Sequence, residues 1–266
     1  MKNLFSIACL CACTLLASCS NDDDVDPNVG SLTLEFDNIV GGANLQLNTT
    51  DDPYTNGKGE SYKITHLTYI VSNIKLKRDD GTIFTDPVKS DGSAGYYLVD
   101  EDDLESQEIV LEHIPAGSYT EATFTIGVDA AQVDQGAQTG ALDPAHGMFW
   151  SWNSGYIFLM LEGESPVSTE TGKVFQYHVG GYKEDANNAM LVNNVKTMTL
   201  SFGDDAPVRA EHRPEVHLMF DVNKFLDGTG EEVTFTANAS RHMPKVCQDL
   251  ANNIAGAFRV DHVHAN

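Results

Sequence analysis

Cysteine is almost missing from the part of this chain that can fold. Five cysteines occur in 266 residues, and Cys9, Cys11, Cys13 and Cys19 all lie near the N-terminus. Cys247 is left alone, so no internal disulfide braces the fold and stability must come from a buried core. Basic residues are scarce too: 16 Lys and Arg face 39 Asp and Glu, a formal net charge of −23. Without a basic patch, no nucleic-acid partner is expected. The same imbalance favours solubility, repels anionic surfaces and concentrates cations near the protein. Hydrolase signatures are lacking: there is no Gly-x-Ser-x-Gly elbow, no His-Glu-x-x-His and no phosphate-cradling glycine loop. Carboxylates are abundant, yet no local pattern marks a glycosidase pair.

The first residues set the compartment. Lys2 precedes an apolar run from Leu4 to Leu16, too short to span a bilayer, and Leu16-Ala17-Ser18-Cys19 follows. That order resembles a bacterial lipobox, in which Cys19 becomes the lipid-modified first residue. Ser20-Asn21-Asp22-Asp23-Asp24-Val25-Asp26 is acidic and has nothing to bury, as expected of a flexible tether. It is similar to the acidic export signal of surface-exposed lipoproteins in Bacteroidetes. No later segment is apolar enough to cross a membrane, which leaves the lipid as the expected anchor. The organisation expected is therefore a signal peptide over 1–18, a tether over 19–30 and one domain over 31–266. About 235 residues suffice for a substantial core.

Alternation of apolar and polar residues dominates that domain. It is visible in Ser31–Phe36, Tyr69–Lys77, Thr123–Val128, Val195–Phe202 and Glu215–Val222. Asp79-Asp80-Gly81 signals a hairpin into Thr82-Ile83-Phe84. Glycine, Asp, Asn and Pro clusters separate these runs at short spacing, which predicts a single all-β domain, sandwich or barrel-like. Helix is rare. Asn223–Leu226 suits one turn, and Met243–Phe258 is the best candidate for a short C-terminal helix. Pro244 fits its first turn, and Val246, Leu250, Ile254 and Ala257 fall on one face.

The chain's two tryptophans, Trp150 and Trp152, share a five-residue window with Met148, close to His146. Alternate strand positions lie on one face, so these residues form either an apolar corner or a soft-metal neighbourhood. Nine histidines supply further ligands. His178 precedes Val179-Gly180-Gly181, where the backbone can turn tightly beside the ring. His242 opens the C-terminal helix, and His262-Val263-His264 sets two rings on one side of an extended segment. Imidazoles with nearby thioethers and no thiolate favour copper; imidazole alone serves zinc or nickel equally, and an added carboxylate argues for zinc or iron. His66, His212 and His217 read as satisfied or solvent-facing residues.

Several of these blocks, taken in order, resemble one family. Ser72-Asn73-Ile74, Ile126-Gly127-Val128-Asp129, Gly140–Pro144, Gly147-Met148-Phe149-Trp150-Ser151-Trp152, Gly155-Tyr156 and His178-Val179-Gly180 are similar to the MbnP-like proteins. These are periplasmic or surface copper-binding proteins found beside methanobactin clusters and, as lipoproteins, in Bacteroidetes. The resemblance implies an all-β fold and copper held by histidines, with His178 the most motif-anchored ligand and His146 a neighbour. It also implies that Trp150 or Trp152 is oxidised to kynurenine by a partner di-haem enzyme, the new amine then binding the metal. No cysteine follows His178 within Gly181-Tyr182-Lys183, where methanobactin-associated members carry one. His242, His262 and His264 resemble a tail seen in Bacteroidetes members.

The function expected is copper capture by an outer-membrane lipoprotein without catalysis of its own, its metal candidates being His178, His146, Trp150, Trp152, Met148, His262, His264 and His242. A TonB-dependent transporter joins the di-haem oxidase as an expected partner. The alternative expectation is a surface module recognising glycan or protein, with Trp150 and Trp152 as its stacking platform.

Overall fold

The structure is a computed structural model that describes residues 26–265 apart from 52, 151–154 and 229–232. The expected signal peptide, Cys19, most of the tether and Trp152 lie outside the described residues. Strands dominate. In chain order they are β1 (Val29–Val40), β2 (Ala43–Asn44), β3 (Tyr54–Thr55), β4 (Ser61–Arg78), β5 (Ile83–Thr85), β6 (Tyr96–Asp100), β7 (Glu108–Pro115) and β8 (Gly117–Ile126). They continue as β9 (Phe149–Trp150), β10 (Gly155–Glu164), β11 (Val174–Gly180), β12 (Lys196–Val208), β13 (Glu215–Asp221), β14 (Ser240–Arg241) and β15 (Phe258–His264). The α-helices are short: α1 (Ala130–Val133), α2 (Val222–Leu226) and α3 (Gln248–Ala257). None is long and apolar enough to cross a membrane.

The strands form two mixed sheets that pack as a sandwich. The larger runs β12-β8-β4-β10-β11-β14, with β3, β5 and β6 on β4 and β9 on β10. The smaller runs β15-β13-β1-β2, with β7 also on β1. Its centre is a parallel pair of strands far apart in sequence, in which Glu35 lies opposite His217 and Phe36 opposite Leu218.

Alternation explains which side each residue takes. Leu32, Leu34 and Phe36 of β1 and Val216, Leu218 and Phe220 of β13 are fully buried. They meet Leu67, Tyr69 and Phe124 of the larger sheet in one continuous core. Phe36 sits edge-on to Phe124 at 5.5 Å and to Phe258 at 6.2 Å, geometry that adds about 0.5–1.5 kcal/mol per pair beyond burial. The alternate residues, Glu35 and Asp37 on β1 and Glu215 and His217 on β13, consequently share the opposite face.

One strand departs from simple alternation. β15 pairs antiparallel with β13, but its register shifts between Val216↔Val263 and Leu218↔Val260. Two residues, Asp261 and His262, thus oppose His217 alone. This bulge lets Val260 and Val263 both turn toward the core side while His262 and His264 turn outward.

The C-terminal helix begins later than the sequence suggests. Pro244–Cys247 is a turn of 3-10 helix, and the α-helix proper starts at Gln248. The tighter winding rotates Val246 away from Leu250, Ile254 and Ala257. Those three are buried, whereas Val246 is 44% exposed.

Candidate metal centre

Two groups of imidazoles converge, one on each sheet. On the larger sheet, β14 adds parallel to β11, pairing Gln176 with Ser240 and Tyr177 with Arg241. The next step brings His178 beside His242, and their Nδ1 atoms lie 3.0 Å apart. Their rings meet edge to face with centroids 4.5 Å apart. Each outer nitrogen already has an oxygen partner. His178 Nε2 lies 2.7 Å from Glu162 Oε1, and His242 Nε2 lies 2.8 Å from Ser240 Oγ.

The carboxylate fixes the tautomer. The hydrogen bond from His178 holds Glu162 below the usual carboxylate range, with help from Gln176. An ionised carboxylate only accepts, so His178 donates from Nε2, and in the neutral ring Nδ1 then carries the lone pair. Burial and the neighbouring His178 hold His242 below the ordinary histidine range, which favours its neutral form. Lone-pair nitrogen therefore faces nitrogen at hydrogen-bond distance, with one proton shared between the rings, and a metal held by both would displace that proton.

Cysteine reaches this neighbourhood from a distance in sequence. Cys247 is fully buried, and its Sγ donates to the His178 carbonyl at 3.3 Å. Burial pushes the thiol up to about 12, so in the metal-free protein it is protonated. No local motif near His178 signals this contact; the turn carrying Pro244–Cys247 delivers it.

The tryptophan window lies alongside. Trp150 and Met148 are buried, at 7% and 1% exposure. A side chain at Gly180 would reach within 2.6 Å of a Trp150 ring carbon, so the indole lies on Gly180, two residues beyond His178. At that depth Trp150 is no part of a stacking platform for glycan, and the expectation of one built on Trp150 and Trp152 fails at its first residue. His146 is elsewhere in its contacts. It is exposed, and its Nε2 lies 3.1 Å from the Gly140 carbonyl; like His178 and His242, it joins none of the groups of three or more ligating residues among the described residues.

The second group sits on the outer face of the smaller sheet. Nε2 atoms of His262 and His264 are 2.9 Å apart, and His217 stacks on His262 at 4.2 Å with the rings 12° from parallel. One ligand atom from each of the three lies within 4.8 Å of the others. His217, read from sequence as facing water, is instead largely enclosed: its side chain is 14% exposed. Its Nδ1 lies 2.9 Å from Asp37 Oδ2, while Glu35 Oε2 is 3.2 Å from Nε2 without hydrogen-bond alignment. His262 Nδ1 lies 2.9 Å from Asp261 Oδ2. Burial pushes Glu35 up to about 8, aided by a hydrogen bond with Glu215 and the charges of Asp37, Glu215 and Glu108.

The sequence signal for His217 was its outward position two residues from Glu215, but nothing local shows that β1 and β15 flank it. A third group places His66 with Asp100 and Asp102. There His66 Nε2 is already 2.9 Å from Thr68 Oγ1.

Fold and geometry thus define a mostly-β sandwich protein that gathers imidazoles in the manner of a metal-binding protein. Residues 29–248 match the family model of MbnP, and the chain belongs to the MbnP family. Among solved structures it is similar to MbnP from Methylosinus trichosporium, with a TM-score of 0.54 and 15% identity, over 89% of this chain and 99% of that one. That likeness is one of fold. No curated protein matches. His178 and His242 fall inside the matched region, whereas β15, with His262 and His264, lies beyond its end.

Proposed function

We propose that this chain captures copper at the cell envelope, held between His178 and His242. The observation that carries the reading is the facing pair of Nδ1 atoms, 3.0 Å apart, with an oxygen partner behind each ring. A carboxylate behind a ligating imidazole orients the ring and raises its basicity. Two neutral nitrogens with no thiolate suit copper(I), and membership of the MbnP family supports the same metal. When bound, copper would replace the proton between the rings, so the protein's own part is to orient, desolvate and hold.

The wider reading has three parts that rest on sequence and family. Cys19 carries a lipid that anchors the protein to the outer membrane, on its periplasmic or outer side. Trp150 or Trp152 is the residue a di-haem oxidase would convert to kynurenine, which would give the site a further ligand. A TonB-dependent transporter is the class of partner that would exchange the metal. Capture involves no catalysis by this chain.

Elemental analysis and intact mass of the protein from its native host test these statements together. Stoichiometric copper, an added lipid mass and the mass of oxidised tryptophan are the expected results. A protein that is metal-free as isolated and takes up no added copper overturns copper capture.

A further inference from the structure

We propose that His217, His262 and His264 form a second metal centre, on the outer face of the smaller sheet, that takes a divalent d-block cation such as zinc. It goes beyond the copper site in residues, in sheet and in ligand chemistry.

Three observations converge. The first is the nitrogen geometry: one ligand atom from each of three rings lies within 4.8 Å of the other two. The rings come from two strands whose register is fixed by a bulge, so the convergence is built by the sheet and is not a chance meeting of long side chains. The second is the support behind the rings. Asp37 holds His217 Nδ1 and Asp261 holds His262 Nδ1. With Nδ1 turned to Asp261, His262 presents its Nε2 toward His264 Nε2, 2.9 Å away. The third is an unmatched atom: His217 Nε2 is buried and lacks a hydrogen bond.

The donor set selects the charge of the ion. Glu35 Oε2 stands 3.2 Å from His217 Nε2, and Glu35, Glu215 and His217 also bring ligand atoms within 4.8 Å of one another. Three imidazoles, with the Glu35 carboxyl group alongside, make a harder site than the His178–His242 pair, and one that suits zinc or copper(II) over copper(I). The thioether of Met219, two residues from His217 on β13, is engaged by Arg259. The centre would also clip β15 to β13, since two ligands come from one strand and the third from the other.

The test is zinc uptake by the mature chain, measured by equilibrium dialysis against H262A/H264A. Both substituted residues are exposed, so the variant should keep its fold, which circular dichroism checks. Wild type is expected to hold one more equivalent of zinc than the variant, whose affinity falls by more than the roughly 10- to 100-fold that losing one supporting hydrogen bond costs. Copper(I) uptake should be the same in both, which separates this centre from the copper site. Equal zinc binding by the two proteins overturns the proposal. Should the variant unfold, zinc added to wild type is expected to shift the ring 15N resonances of His217, His262 and His264, and unmoved resonances overturn it equally.

Discussion

His178 and His242 meet Nδ1 to Nδ1 at 3.0 Å although 64 residues separate them in the chain. The parallel addition of β14 to β11 brings them together, and Glu162 and Ser240 orient them from behind. Copper capture depends on that pair, whose supporting groups can be varied one at a time.

Glu162 is the lever on the tautomer. Replacing it with Gln removes the charge that keeps the His178 Nε2 proton in place and leaves the strand's shape unchanged. Copper(I) affinity of E162Q should fall by about tenfold or more, read by competition with a copper(I) chelator. Melting temperature should change little.

Asp37 plays the corresponding part on the other sheet. In D37N the His217 ring loses its anionic partner, and zinc affinity should drop by roughly 10- to 100-fold. Copper(I) uptake should stay at the wild-type level. Dialysis with each metal in turn reads both.

Acid and alkali should act on separate groups. Burial pushes Glu101 up to about 7, even though Asn38 and Gln107 donate to it. A raised carboxyl contributes stability that is complete below its ordinary value of 4.5 and is lost as pH rises through about 7. Metal-free wild type should therefore lose more melting temperature between mildly acidic and mildly alkaline buffer than E101Q does. His242 works the opposite way. Its depressed value means stability is complete above 6.5 and declines as pH falls below it.

Gly180 has a steric duty. A methyl group there would lie 2.6 Å from the Trp150 ring and 2.6 Å from the Tyr156 carbonyl oxygen. G180A should cost about 1–3 kcal/mol through overpacking, read by denaturant titration. Trp150 fluorescence should shift as the indole is displaced.

Much of the fold was legible because burial on one face writes itself into a strand as alternation. Ser31–Phe36, Tyr69–Lys77 and Glu215–Val222 all fall within or largely within strands of the structure. Pairing was not legible. Alternation says that His217 points outward, but not that β1 lies on one side of it and β15 on the other, with Glu35 opposite in a parallel register. The H-x-H spacing put two rings of the second centre on one side, while the bulge that aims them at His217 has no sequence mark. Likewise His178 stood out by its glycines, and Met148 and Trp150 by their window. Cys247 reached His178 only through the tertiary path of the last helix, and Val246 left the buried face because the first turn winds as 3-10.

The most direct measurement is a copper(I) titration of the mature chain, under chelator competition, in wild type, H178A and H242A. The account predicts one tightly held equivalent in wild type and its loss in both variants, with zinc uptake at His217, His262 and His264 unchanged. Undiminished copper(I) binding by H178A and H242A would contradict it.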